Sequence, residues 1–153
     1  YIIHLKGILI VTDKKIVDNI IYPFGSRYPT EYIKVYHTLN NELKDIIESS
    51  GYKKVFLKKY RKSLKFLEGL KTRCCLGNSD LFEKIVDEDN LYSIRLFGEK
   101  NIRILFCFIL INRNSKAILL NVFEEKNKSD YDNGRRIARV RKNEIIEILN
   151  NEE

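Results

Sequence analysis

Histidine is almost missing from this 153-residue chain, with only His4 and His37, and its three cysteines, Cys74, Cys75 and Cys107, form no Cys-x-x-Cys pair. A structural zinc site draws on several such ligands at close spacing, so none is expected. An odd cysteine count with two of them adjacent also argues against a disulfide framework, and predicts reduced thiols in the cytoplasm. Long apolar runs are missing as well. The longest, "GILIV" and "ILFCFILI", fall far short of the roughly 20 residues of a membrane helix. Lys6 interrupts "YIIHLKGILIV", and no small-residue cleavage pattern follows it, so neither a signal peptide nor a membrane anchor is expected. There is no Gly-rich phosphate loop and no nucleophile elbow, nor are paired carboxylates found in a recognisable setting. The acidic stretch "DEDN" at 87–90 and the pair Glu124–Glu125 read as solvated turns rather than as ligands of a divalent ion. No cofactor is implied.

What is present is a globular composition, 44% hydrophobic and 11% aromatic, in a length that suits a single domain spanning 1–153. The net charge of +7 is unevenly placed. Residues 1–50 hold six basic and six acidic side chains, so the entire excess lies in 51–153. Residues 53–73 carry nine Lys/Arg against Glu68 alone, and "RRIARVRK" at 135–142 carries five with no acid. Clustered positive charge of this kind is the footprint of a polyanion binder, or equally of a solvated face or a dock for an acidic protein.

Periodicity divides the chain. "IIHLKGILIV" reads as an N-terminal strand, and "TDKKIVDNIIYPFGSRYPT" as a short helix or strand followed by a loop. Tyr32, Ile33, Tyr36, Leu39, Leu43, Ile46 and Ile47 recur at helical spacing behind Thr30 as N-cap, which predicts a helix over about 31–49 ending at Gly51. Phe56, Tyr60, Leu64, Leu67 and Leu70 predict a second helix over about 53–73, so that "SSGY" joins an αα-hairpin. "CCLGNSD" reads as a loop and "DLFEKIVDEDN" as a turn-rich connector. From residue 91 the period becomes that of strands: "LYSIRLF", "IRILFCFILI" and "KAILLNVF", separated by the hairpin-length turns "GEKN" and "NRNS", predict an antiparallel meander with the middle run central. A last helix from about 130 has Ile137, Val140, Ile145 and Leu149 on one side. The expectation is an α+β fold, an antiparallel sheet of N-terminal strand plus three-stranded meander, packed by an αα-hairpin and a C-terminal helix.

The residues with chemical potential are cations and one phenol around that sheet: Lys84, Arg95, Arg103, Lys126, Lys128 and Tyr131. Such a set can cleave RNA without a metal. Arginine pairs bidentately with a phosphate, a lysine crowded by cations can exchange protons, and a tyrosine can stack on a base. They are equally compatible with outward-facing strand residues and solubilising lysines. Lys58, Lys62, Arg135 and Arg136 extend the basic surface as candidate RNA contacts. If the "GEKN" loop is odd in length, Arg95 faces Arg103 and both line one surface. A phosphate site needs that offset, and it is the expected one.

Residues 82–142 resemble the C-terminal half of the RelE/HigB branch of bacterial toxins, closest to its phage-derived HigB-like members. The resemblance rests on Lys84, "LYSIRL", "IRILFCF", "LLNVF", "EEKNKS" and an inward Ala138, in that order, with the basic helix at 53–73 before them. It implies the RelE-like toxin fold for 51–153, with 1–50 as an extension holding a strand and the first helix. It also implies metal-independent, ribosome-dependent mRNA cleavage in the cytoplasm by a type II toxin, an mRNA interferase. Arg95, Arg103 and Lys126 would be catalytic, mRNA and the ribosome would be partners, and a cognate antitoxin would cover the basic surface in a hetero-oligomer. Two other expectations stand beside it: a ParE-like inhibitor of DNA gyrase, and a phage nucleic-acid-binding or adaptor protein without catalysis.

Overall fold

A computed structural model describes residues 16–25, 30–76 and 80–151. The N-terminal strand expected at 2–11 lies outside them. A six-stranded sheet runs through the middle of the molecule, in the order β1 (Val17–Asp18), β2 (Ile33–Tyr36), β6 (Asn114–Glu124), β5 (Asn101–Ile111), β4 (Tyr92–Phe97) and β3 (Phe82–Lys84). Its helices are α1 (Leu39–Glu48), α2 (Lys53–Leu70, continued by a 3₁₀ turn over Lys71–Arg73) and α3 (Lys128–Asn150).

The meander forms as expected, with β4, β5 and β6 successively antiparallel. Asn112 and Arg113, both at positive φ, close the β5–β6 hairpin between Ile111 and Asn114, in the left-handed conformation that two-residue hairpin turns favour. The sheet as a whole is mixed, because β2 pairs parallel with β6. This corrects the antiparallel expectation and the helix over 31–49. Ile33 and Val35 are β-branched residues buried in the sheet, and α1 begins only after Thr38, whose hydroxyl donates to Glu42. Thr30 instead accepts from the Tyr32 backbone N–H. Tyr32–Tyr36 fits both periods, and pairing with β6 decides between them. "DLFEKIVDEDN" likewise contains a strand: β3 pairs with β4 at the sheet edge.

Alternation in β5 builds two cores. Ile102, Ile104 and Phe106 face one side with Phe82, Ile94 and Leu119, where α1 (Leu39, Leu43, Ile47) and α2 (Phe56, Tyr60, Leu64, Leu67) cover them. Leu105, Cys107 and Ile109 face the other with Ile118 and Leu120, under Ala138 and Ile145 of α3. Val140, expected on the packed side of α3, is exposed, and Gly134, Ala138, Lys142 and Ile145 form the buried stripe instead.

A β-bulge breaks the β5–β6 register. Leu105 pairs with Asn121 but Phe106 pairs with Leu119, leaving Leu120 as the extra residue. The parity of β6 flips there. Asn121 and Phe123, which strict alternation would send toward α1 and α2, turn toward α3, and Asn121 donates its amide N–H to the Gly134 carbonyl at 3.0 Å. The Phe123 ring lies where a Cβ on residue 134 would sit. Gly134 therefore stays in a helix interior that alanine would otherwise favour. Gly134→Ala is expected to destabilise the fold by about 1–3 kcal/mol through this overlap, measured by denaturant unfolding. A stability gain would show that Phe123 can move aside at no cost.

The basic run "RRIARVRK" is spent largely inside the molecule. Glu88, only 6% exposed, pairs with Arg139 at 2.5 Å and with Arg135 at 3.3 Å. Buried Lys142 donates to the Asp89 carbonyl, and Asn90 exchanges two hydrogen bonds with the Phe108 backbone. The "DEDN" segment is thus a clip fastening α3 to β5, not a solvated turn. The hydrogen bond from Arg139, against opposing burial, holds the Glu88 carboxyl below the usual carboxylate range. A depressed native pKa contributes stability that is complete above the unfolded value, near pH 4.3, and is lost as pH falls through the native one. The stability gap between the unmodified chain and Glu88→Gln should therefore be constant near neutrality and narrow below about pH 4, followed by denaturant melts across pH.

Candidate functional site

Three residues, Gly98 to Lys100, separate the paired Phe97 and Asn101, so the β4–β5 loop is odd and Arg95 stands directly opposite Arg103. Both arginines share the α3 face, as the offset register requires. Neither is a bare guanidinium. Glu83 of β3 lies 3.0 Å from Arg103 Nη1 and 3.7 Å from Arg95 Nη1, bridging the two. Arg103 Nε donates to Glu125, and its Nη1 also approaches Ser93 Oγ at 3.4 Å. Burial works against the Arg103 charge, but the hydrogen bonds and charges of Glu125 and Glu83 outweigh it and raise its pKa above the ordinary arginine value.

Beside Arg103 opens a solvent-facing cavity of about 470 Å³, lined by Phe97, Asn101, Arg103, Glu125, Lys126, Asn127, Lys128 and Tyr131. Its parts come from the end of β4, the start of β5, the turn after β6 and the first turn of α3. The bulge at Leu120 matters here. It sets the parity by which Phe123 sits opposite Arg103, and two residues later Glu125 reaches the same guanidinium while its backbone N–H donates to the Asn101 carbonyl at 2.8 Å. Asn127 caps α3: its side chain accepts from Asp130 N, and the Asp130 carboxylate accepts from the N–H groups of Lys126 and Asn127. That capping box fixes the turn and leaves the Lys126 and Lys128 side chains at the exposed rim. Tyr131 lies under the Arg103 guanidinium, 5.2 Å from ring centre to Cζ, with Arg135 at 5.6 Å. Burial and the Glu83 charge, against the two arginines, push its phenol above the usual value, so near neutrality it can donate a hydrogen bond but not serve as a base.

Of the candidate residues, the cavity gathers Arg103, Lys126, Lys128 and Tyr131. Arg95 does not line it. Its guanidinium lies 5.0 Å from the Phe97 ring centre, behind the wall. Lys84 shares the opposite sheet face with Phe82, its Nζ 5.8 Å from the Tyr92 ring. Lys58 and Lys62 stand on the exposed side of α2, which covers that same opposite face. Arg135 is held by Glu88, and exposed Arg136 donates to Asn133 at 2.8 Å. The expected single basic site is therefore divided between two sides of the sheet.

Sequence reasoning missed Glu83 and Glu125, the two carboxylates that meet the arginines. Among the described residues no group of three His, Cys, Asp or Glu is placed to hold a metal ion. Burial pushes the Cys74 and Cys107 thiols up to about 12, so neither is a thiolate nucleophile near neutrality. Among the described residues no helix is long and apolar enough to cross a membrane. Compared with protein-family models, curated proteins and solved structures, the chain matches none of them.

Proposed function

We propose that the chain is a metal-independent endoribonuclease acting in the cytoplasm, a RelE/HigB-like toxin of a type II module, with Glu125 as general base in the cavity beside Arg103. The observation that carries the reading is the convergence of a carboxylate, a partly buried guanidinium, two exposed lysines and a protonated phenol in one open concavity. These are the groups that transesterification of RNA requires. Glu125 accepts the proton of a 2′-hydroxyl, whose oxygen attacks the adjacent phosphorus. The bond from phosphorus to the 5′-oxygen breaks, an ammonium of Lys126 or Lys128 protonates that oxygen, and a 2′,3′-cyclic phosphate and a 5′-hydroxyl result. The two lysines neutralise the phosphorane. Arg103 positions Glu125 through its Nε–H, and Tyr131 supports the guanidinium from below. Arg95 belongs to this scheme only through Glu83. A cognate antitoxin, the ribosome and mRNA are the partners this reading entails.

One observation favours a second reading on the same fold, a non-catalytic inhibitor of the ParE kind: Glu83 and Glu125 already neutralise both strand arginines. Expression in growing cells and in a translating extract separates the two. New message ends together with growth arrest support the nuclease. Arrest with intact message and blocked gyrase supercoiling would select the inhibitor.

A further inference from the structure

The basic face of α2 has no role in that mechanism, and its charges are arranged unlike the paired arginines of β5 and α3. Lys54, Lys58, Arg61, Lys62 and Lys65 are all exposed and lie on one side of the helix. Among the described residues none has a carboxylate within ion-pair distance, whereas Arg103, Arg135, Arg139 and Arg141 all do. Lys54–Lys58, Lys58–Lys62 and Arg61–Lys65 are like-charge pairs at i, i+4, each of which weakens the helix. Lys54 adds positive charge to the first turn, where the helix dipole disfavours it and the helix itself has no acid, while Lys53 beside it pairs with Glu48 of α1 at 2.9 Å. Among the described residues the row is thus repulsive and meets no carboxylate, an arrangement that a bound anion relieves.

We propose that this face docks the phosphate backbone of a nucleic acid, independently of the cavity on the other side of the sheet. Cations four residues apart recur about every 6 Å along the helix, a row matched by the dense, continuous charge of a duplex. An acidic protein partner is the poorer fit. Protein interfaces have apolar, aromatic centres and are depleted in lysine, and here Val55 and Phe66 are the only exposed large hydrophobics within the row. The contact reads charge, not bases, because lysines meeting phosphates carry no sequence information.

The test is binding of the full chain to short labelled RNA and DNA duplexes of arbitrary sequence, by fluorescence anisotropy over a potassium chloride series. The triple variant Lys58→Gln/Lys62→Gln/Lys65→Gln should bind at least about tenfold more weakly, with a salt slope shallower by about 2–3. The matching Lys→Arg triple should bind like the unmodified chain, and Lys44→Gln, at an exposed position of α1 outside both sites, should lie within about twofold of it. Equal affinity for the two duplexes, or a preference for RNA, tells which backbone form fits, and both support the proposal. Absence of duplex binding by the unmodified chain, or an unchanged slope in the Gln triple, would overturn it. A Gln triple that loses poly-L-glutamate but keeps the duplex would give the face to an acidic protein instead. The outcome is separable from cleavage: a chain that cuts no RNA but loses duplex binding in the triple retains this docking face and loses only the nuclease reading.

Discussion

Glu125→Gln is expected to slow RNA cleavage by about 10²–10⁴-fold, the usual contribution of a positioned general base. Gln keeps the size of the side chain and can still accept the Arg103 Nε–H, so the thermal midpoint should stay near that of the unmodified chain. That combination separates loss of proton transfer from loss of structure. Arg103→Ala should impair cleavage too, but with a stability cost, since it leaves Glu83 and Glu125 without their shared guanidinium. Arg95→Ala should affect cleavage far less than either, because Arg95 lies outside the cavity lining. A Glu125→Gln chain cleaving at the full rate would remove the carboxylate from the mechanism.

The largest stability effect is expected at Arg141. The bulge at Leu120 leaves that residue out of the β5–β6 ladder, and Arg141 Nη1 donates to its carbonyl at 2.8 Å. The same guanidinium forks onto Glu42 of α1, at 2.8 and 2.7 Å, and lies 4.5 Å from the Tyr36 ring centre. One side chain therefore completes the bulge and ties α3 to a helix that packs on the other sheet face. Arg141→Ala strands a carboxylate and a carbonyl at a partly buried position, at a cost of about 2–3 kcal/mol and roughly 5–10 °C in thermal midpoint. Exposed Arg136→Ala, earlier in the same basic run, should stay within about 0.5 kcal/mol. Equal effects of the two would mean that the bulge does not depend on its arginine.

Why some of this could be read from residues and some could not follows from where each signal resides. The meander announces itself through period-two runs and hairpin turns, and the odd loop Gly98–Lys100 puts Arg95 opposite Arg103. The bulge at Leu120 has no such signature: "AILLNVFEE" alternates poorly in any register, so nothing in it tells that Glu125 would reach Arg103. Glu83 was hidden for a different reason. Three residues of edge strand are too short to show a period, and without β3 the bridge between the arginines is invisible. Tyr32–Tyr36 satisfies helical spacing as well as alternation, and only its partner β6, more than eighty residues later in the sequence, resolves it. Charge is the least legible signal. "RRIARVRK" and the lysines of α2 look alike as strings, yet the first are mostly fastened to Glu42, Glu88 and Asp89 while the second face solvent.

The most direct measurement is chemical analysis of message ends in a translating extract that receives the chain or its Glu125→Gln variant. New 2′,3′-cyclic phosphate and 5′-hydroxyl ends are expected with the unmodified chain, and a loss of at least about a hundredfold with Glu125→Gln. Message that stays intact with the unmodified chain, or ends that form equally with both, would rule out cleavage by Glu125.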